Sequence, residues 1–98
     1  MEVNIQAINF TASSTLDEFI NKKADRLLRR NPDITVFDIT MRVVKFEAPG
    51  NKEANVKVEI PGLVQLIAHK TADSFEECVD SCIDAIEHQI EKKKKEGK

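Results

Sequence analysis

The chain has 98 residues, of which 41% are hydrophobic and 33% are charged, and its formal net charge at pH 7 is -2. This length suits a single domain, 1–98, and excludes a deep cleft between two domains, while the composition excludes a disordered or fibrous chain. No apolar run approaches the roughly 20 residues that cross a bilayer, and the N-terminus lacks the profile of a signal peptide, so we expect a soluble cytoplasmic protein.

A strand and a helix are predicted at the start of the chain. Residues 3–7 alternate between apolar and polar side chains, which is the period of a half-buried strand. From residue 14 the period becomes helical, and Thr15 with Glu18 forms a capping-box pattern. This spacing predicts helix one as far as residues 31–32, Asn-Pro, where the proline stops it.

Three further strands are predicted after this helix. Residues 37–43 and 54–60 alternate as half-buried strands do, and the Pro- and Gly-containing segment 48–52 between them has the composition of a loop. Residues 61–62, Pro-Gly, then predict a turn into a fourth strand over residues 63–70.

Helix two is the most strongly patterned element. Ser74 and Glu77 form a second capping-box pattern, and apolar residues then recur on one side of the helix up to Ile90. The lysine-rich end, residues 91–98, is expected to project beyond the core, where it is free to fray. The apolar positions are Phe75, Val79, Cys82, Ile83, Ile86 and Ile90.

The predicted order of elements is β-α-β-β-β-α. Strands one and two are joined through a helix and should be parallel, whereas strands two to four are joined by short connections and should be antiparallel. Two amphipathic helices then cover one face of a four-stranded mixed sheet. The predicted fold class is therefore α+β, a two-layer sandwich.

Positive charge is concentrated in residues 22–30 and 92–98, which hold ten of the fifteen Lys and Arg residues. On a helical wheel of about 100° per residue, the cations of helix one occupy one flank and the outer face. Helix two has an acidic flank and an opposite flank, with His88, Gln89 and Lys92, that lacks carboxylates. We expect the positive flanks of both helices to meet and form one basic surface, although solvated basic helix faces are also common without such a role. The cations of helix one are Lys22, Lys23, Arg26, Arg29 and Arg30, and the acidic flank of helix two consists of Glu76, Asp80, Asp84, Glu87 and Glu91.

A basic surface of this kind suits phosphate groups, because Arg donates two parallel hydrogen bonds and Lys supplies a mobile charge. No aromatic residues alternate with the basic ones, and no recognition-helix or zinc-finger spacing is present. The pattern therefore favours RNA of defined shape over bases that are read in sequence. Charge alone also leaves open a polyanionic protein surface or an anionic membrane.

The sequence argues against catalysis. A nucleophile needs a base beside it, but His69 is predicted on a strand and His88 on the outer side of helix two. Cys78 and Cys82 lie four residues apart in a helix, too far for an unstrained disulfide, and with His88 they do not complete a metal site. No glycine-rich phosphate loop is present. We therefore expect a binding protein and not an enzyme, with no metal, cofactor or small-molecule substrate.

Several segments in combination resemble one protein family. They are residues 3–8, the basic helix of residues 22–30, and the segment KTADSFEECVDSCIDAIEHQIEKKKK. The most specific parts are residues 73–75 at the start of helix two and, after them, Asp80, Ile83, Ile86, Gln89, Ile90 and the lysine run. The chain resembles the ribosome hibernation-promoting factor and ribosome-associated inhibitor family, also known as sigma-54 modulation proteins. It resembles the short form, which lacks the linker and C-terminal dimerisation domain of longer members.

The resemblance implies a function. Members of this family bind the small ribosomal subunit between its head and body, occupy the path of messenger RNA and the transfer-RNA sites, and silence translation under stress. The implied partners are the 30S subunit, the 70S ribosome and 16S ribosomal RNA, with no membrane involved and a chain that is monomeric when free.

The resemblance also implies which residues contact RNA. Matching positions are Lys23, Arg26, Arg29, Gln89 and Lys92, and the charge pattern adds Lys22, Arg30, Lys93 and Lys95. Lys70 on strand four and the exposed His88 are further expected contacts. Relatives often have basic residues where this chain has Ala85 and His88, so this part of helix two is expected to bind RNA less strongly or in a more pH-dependent way. The alternative is a general protein-interaction or transcription-regulatory module that modulates a sigma factor.

Overall fold

The computed structural model describes residues 2–8, 10–44, 50–62 and 65–96, with the side chains of all these residues except Glu2 and residues 94–96. The elements are β1 Glu2–Ile8, α1 Ser14–Arg30, β2 Val36–Val43, β3 Lys52–Glu59, β4 Leu66–Ala72 and α2 Phe75–Glu96. The sheet order is β1-β2-β3-β4, in which β1 is parallel to β2 and the other neighbours are antiparallel. The predicted α+β class and mixed four-stranded sheet are confirmed.

Both helices pack on the same face of the sheet. Phe37, Ile39 and Met41 of β2 point to this face and are buried, as are Val56 and Val58 of β3. Burial of an aliphatic side chain of this size contributes about 1.5–3 kcal/mol, so the shared apolar layer holds helices and sheet together. The buried helix residues are Leu16, Ile20, Ala24, Leu27 and Leu28 on α1, and Phe75, Cys78, Val79, Cys82, Ile83, Ile86 and Ile90 on α2.

No described part of the chain covers the opposite face of the sheet, which is mostly polar and also exposes Ile67. Asn4 Nδ2 donates to Asp38 Oδ1 across β1 and β2 at 2.6 Å. Two ion pairs link β2 to β3, with Nε of Arg42 2.7 Å from Oε1 of Glu53 and Nζ of Lys57 3.6 Å from Oδ2 of Asp38. Cations and carboxylates on this face therefore occur as neighbouring pairs.

The fourth strand differs from its predicted bounds. It begins at Leu66 instead of residue 63, because the register places Leu66 opposite Val58, and it continues to Ala72, opposite Lys52. Gly62 has a φ of +83°, the left-handed conformation that glycine adopts readily in a Pro-Gly turn. Residues 63–64 of the predicted strand and residues 48–49 of the predicted loop lie outside the described residues.

The start of α1 corrects one predicted cap. Ser13, not Thr15, is the N-cap: its backbone is extended and its Oγ accepts a hydrogen bond from the Leu16 N–H at 3.1 Å. The helix therefore begins at Ser14, two residues earlier than a cap at Thr15 would place its start. The predicted cap of α2 is confirmed, since Oγ of Ser74 accepts from the Glu77 N–H at 3.2 Å.

Candidate nucleic-acid interface

The outer face of α1 carries a row of exposed cations. Lys22, Arg26 and Arg29 are three or four residues apart, so they lie one above another on the helix surface. Among the residues that the structure describes, these three form no ion pair. Together with Asp25 and Arg30 they line a shallow depression of about 480 Å³. We call Lys22, Arg26 and Arg29 the outer basic row; its guanidinium groups and ammonium are available to a phosphate backbone.

Lys23 does not belong to this row. Its Nζ lies 2.9 Å from Oδ1 of Asp80 on α2, and it also lies 5.4 Å from the centre of the Phe19 ring, a cation–π contact. The Lys23 side chain is 33% exposed. Its ammonium reaches an RNA phosphate only if it gives up Asp80.

Arg30 forms the second contact of this kind, with Nη1 3.1 Å from Oε2 of Glu87. Lys23 and Arg30 are seven residues apart, and so are their partners Asp80 and Glu87. Seven residues make about two helical turns. The two helices therefore lie side by side and run in the same direction, joined by ion pairs at two levels.

This contact contradicts the expectation that the positive flanks of both helices form one surface. The flank of α2 that faces α1 is the acidic one, which carries Asp80 and Glu87. Sheet order and core packing set the side on which the helices meet, and opposite charges then attract across the groove, where two basic flanks would repel each other. The cations of α1 are thus separated by carboxylates from the opposite flank of α2.

That opposite flank lies against the edge of the sheet. Nε2 of Gln89 donates to the backbone carbonyl oxygen of Ile67 on β4 at 3.1 Å. This hydrogen bond satisfies a carbonyl of an edge strand, which has a neighbouring strand on one side only. The Gln89 amide is therefore already engaged within the fold.

His88 lies on the same flank of α2 and is exposed. Its Nδ1 lies 2.8 Å from the Asp84 carbonyl oxygen one turn earlier.

The C-terminal ends of the two helices lie at the same end of the molecule. Because Arg30 is the last residue of α1 and pairs with Glu87, the later residues of α2 extend beyond α1. Lys92 is exposed and Lys93 is partly exposed, both just past the last buried residue of α2, Ile90. The predicted projection of this end beyond the core is confirmed for these two residues. The side chain of Lys95 lies outside the described residues.

Lys70 lies elsewhere, near the end of β4, where it is opposite Ala54, the residue whose carbonyl oxygen accepts from the Cys82 thiol. Burial raises the pKa of the Cys82 thiol to about 11, and Lys70 offsets part of this effect. Cys82 and Lys92 are ten residues apart on α2, about 15 Å along its axis. The structure therefore does not bring Lys70 together with the basic end of the helices.

No catalytic arrangement is visible among the described residues. Cys78 and Cys82 are free and buried, as predicted, and their Sγ atoms donate to the backbone carbonyl oxygens of Lys52 and Ala54. Burial raises the pKa of both thiols, which disfavours the thiolate that a nucleophile requires. Within the described ranges no group of His, Cys, Asp and Glu could hold a metal ion, and neither helix is long and apolar enough to cross a membrane.

The contact between α1 and α2 has a signal in the sequence, the matching spacing of charged residues on the two helices. Lys23 and Arg30 repeat at seven residues on the basic helix, and Asp80 and Glu87 repeat at the same interval on the acidic flank. Two parallel neighbouring helices can form ion pairs at two levels when the cations of one helix and the carboxylates of the other repeat at the same interval, here about two turns. Asp80 and Glu87 are the contact residues that the sequence interpretation missed.

The sequence matches one protein family over almost its whole length. Residues 3–98 match the family model described as Sigma 54 modulation protein / S30EA ribosomal protein. No curated protein sequence is similar enough to match this chain.

Two solved structures share the fold. A ribosomal subunit interface protein from Coxiella burnetii superposes with a TM-score of 0.83 at 23% sequence identity, over 96% of this chain and 98% of that one. The N-terminal domain of Protein Y from Thermus thermophilus superposes with a TM-score of 0.75 at 18% identity, over 94% of this chain and 98% of that one. Since the family model extends from residue 3 to residue 98, this chain belongs to the Sigma 54 modulation protein / S30EA ribosomal protein family.

Proposed function

We infer that this protein is a ribosome hibernation factor, which binds the small ribosomal subunit on the path of messenger RNA and transfer RNA and silences translation by occupying that path. The family description names a ribosomal protein, and a structure with the same fold is described as a ribosomal subunit interface protein. The observation that carries the proposal is the outer basic row, three exposed cations without an ion-pair partner among the described residues.

The outer basic row has a geometry that suits RNA. Lys22 and Arg29 are seven residues apart, about 10 Å along the helix axis, so the row offers cations to neighbouring phosphates of one strand. Arg26 and Arg29 supply planar donors that bind phosphate oxygens in pairs. Phosphate contacts can position a protein on RNA without any contact to the bases. Such contacts suit a protein that recognises a folded RNA by its shape.

The proposed contacts are ranked by their availability in the fold. The outer basic row contacts 16S ribosomal RNA directly, and the projecting end of α2 adds a second group: Lys92, Lys93 and Lys95. Lys23 and Arg30 contribute only after they exchange a carboxylate for a phosphate. His88 and Lys70 are peripheral contacts. Gln89 supports the site indirectly, because it fastens α2 to the edge of β4.

The proposed mechanism is steric. A folded domain of this size, held by phosphate contacts, excludes messenger RNA and transfer RNA from the space that it fills. The helices and the sheet share one buried core. Because such cores are closely packed, the domain fills the channel as a rigid body that does not deform to let RNA pass. No bond is made or broken, and the ribosome is released intact when the protein dissociates.

Sedimentation with purified 30S subunits through sucrose tests this function. We expect the protein to migrate with the subunits at about 50 mM salt and to remain at the top of the gradient at high salt. If about five phosphates are neutralised, log K should fall against log salt with a slope of roughly -3.5 to -4.5, because counterions leave the RNA. Failure to migrate with 30S and 70S particles at low salt contradicts the proposal.

The second candidate is a transcription-regulatory module that binds a sigma factor. The observation that favours it is the first half of the family description, which names sigma 54 modulation. A protein interface with an apolar core depends far less on salt than a polyphosphate contact. Binding to a purified sigma factor that persists at high salt, without migration with ribosomes, therefore supports this candidate.

A further inference from the structure

The carboxylates of α2 form a continuous stripe beside the basic helix. Asp80 and Glu87 are partly exposed and pair with cations of α1, whereas Asp84 and Glu91 are exposed. We call these four residues the acidic band. Their intervals of three or four residues place them on one side of α2. The band runs along the groove between the two helices, where α2 meets the basic flank of α1.

The groove between the helices is balanced in charge. Its charged lining consists of three cations and three carboxylates: Lys23, Arg26, Arg30, Asp80, Asp84 and Glu87. Opposite charges at such short range cancel most of the field that a distant phosphate feels. The positive potential of α1 is therefore strongest over Lys22 and Arg29, which do not line the groove, whereas Arg26 lies at its rim and lines both the groove and the outer depression. Phosphates that approach from the α2 side meet carboxylates first.

We propose that the acidic band is an electrostatic boundary, which confines phosphate contacts to the outer basic row and the projecting end of α2 and thereby selects folded RNA over flexible single strands. This selectivity rests on the proposed function. A folded RNA presents its phosphates on a fixed surface, so it engages the row without touching the band. A flexible strand curls around a cationic helix to reach every cation, and here it is repelled on one side.

The key residue of this boundary is Glu87, because it both repels phosphate and occupies Arg30. Glu87→Gln removes one negative charge and frees one arginine. Glu53→Gln is a matched control, since it also removes one charge and frees one arginine, Arg42, but on the open face of the sheet. The two variants have the same net charge and make different faces more positive; Glu53→Gln also changes the acceptor of the Asn55 Nδ2 hydrogen bond.

The experiment measures binding of the full chain to single-stranded oligouridylate at several salt concentrations. We expect Glu87→Gln to raise the affinity roughly two- to tenfold at low salt, and to make the slope of log K against log salt more negative by about 0.7, the value for one more phosphate on a single strand. In Glu53→Gln, the changes in log affinity and in the salt slope should each be no more than about a third of those in Glu87→Gln. An unchanged affinity in Glu87→Gln, or equal gains in both variants, overturns the boundary.

A second variant makes the test independent of the stability of Glu87→Gln. Asp84 forms no ion pair within the described part of the chain, so Asp84→Asn removes repulsion without freeing a cation. Its affinity for oligouridylate should rise without a steeper salt slope, and no rise overturns the boundary. Sedimentation of the wild-type chain with 30S subunits is scored separately. A wild-type chain that ignores ribosomes contradicts the proposed function, whereas a failed variant comparison contradicts the boundary alone.

Discussion

Cys82 is only 1% exposed, and its Sγ donates to the Ala54 carbonyl oxygen at 3.5 Å. Burial disfavours the charged thiolate and neighbouring Cys78 adds to this effect, while Lys70 offsets part of it, so the pKa of the Cys82 thiol is raised to about 11. At neutral pH the side chain therefore behaves as a small apolar group of the core.

This pKa makes the stability of the fold depend on pH above 9. A thiol in the unfolded chain titrates near 9.0, whereas the Cys82 thiol of the folded protein keeps its proton up to about 11. The unfolded state loses its proton first, so the free energy of unfolding falls as the pH rises through this window. Between pH 9 and 11 we expect the wild type to lose roughly 1–2 kcal/mol more than Cys82→Ala, measured by urea unfolding. Equal losses in the two proteins contradict this assignment.

At the scale of elements, α1 depends on how its ends are closed. Oγ of Ser13 accepts from the Leu16 N–H at the start. At the end, the backbone N–H and the Nδ2 of Asn31 both donate to the Leu27 carbonyl oxygen at 3.0 Å. These bonds satisfy groups that have no partner within the helix. The helix that carries the outer basic row is thus held in length and register by its caps.

The cap of α1 can be tested with two neighbouring substitutions. Ser13→Ala removes the acceptor for the Leu16 N–H and should lower the free energy of unfolding by about 1 kcal/mol. Thr15→Ala changes an exposed helical residue to a better helix former and should have an effect between zero and a slight gain. Urea unfolding measures both. A larger loss in Thr15→Ala than in Ser13→Ala restores the capping box predicted from the sequence.

At the scale of the whole molecule, the two faces differ in how their charges are arranged. On the open face of the sheet, Arg42 and Lys57 each lie beside a carboxylate of the neighbouring strand. On the helical face, the outer basic row has no such partners among the described residues. A net charge of -2 therefore conceals one exposed surface that is positive.

This difference predicts that ribosome binding depends on one face. The double variant Arg26→Gln and Arg29→Gln should weaken binding to 30S subunits by about tenfold or more and reduce the magnitude of the salt slope by roughly 1.5–2. The control variant Arg42→Gln and Lys57→Gln loses the same charge from the open face and should change the affinity less than about twofold. Thermal melts should stay within a few degrees of the wild type. Equal weakening by the two variants contradicts the assignment of the interface to α1.

Much of the fold was predictable because its signals are local. In a strand every second residue faces the core, and in a helix about one residue per turn does so. The alternation over residues 37–43 and the helical spacing up to Ile90 therefore depend only on residues that are close together in the chain. The bounds of β4 were less predictable, because they depend on which residue of β3 lies opposite Leu66. The cap was also ambiguous, since Ser13 and Thr15 are both good capping residues only two positions apart.

The sequence by itself determined the order of elements, the side of each helix that is buried, and the acidic and basic flanks, because these follow from the period of each segment taken alone. Only the tertiary structure decided which flanks meet. A helical wheel shows the flanks of α1 and α2 but not the side on which one helix lies beside the other, and that side depends on sheet order and on the packing of distant segments. Lys23 and Arg30 consequently face Asp80 and Glu87, and among the cations of α1 the outer basic row is left without an ion-pair partner in the described part of the chain.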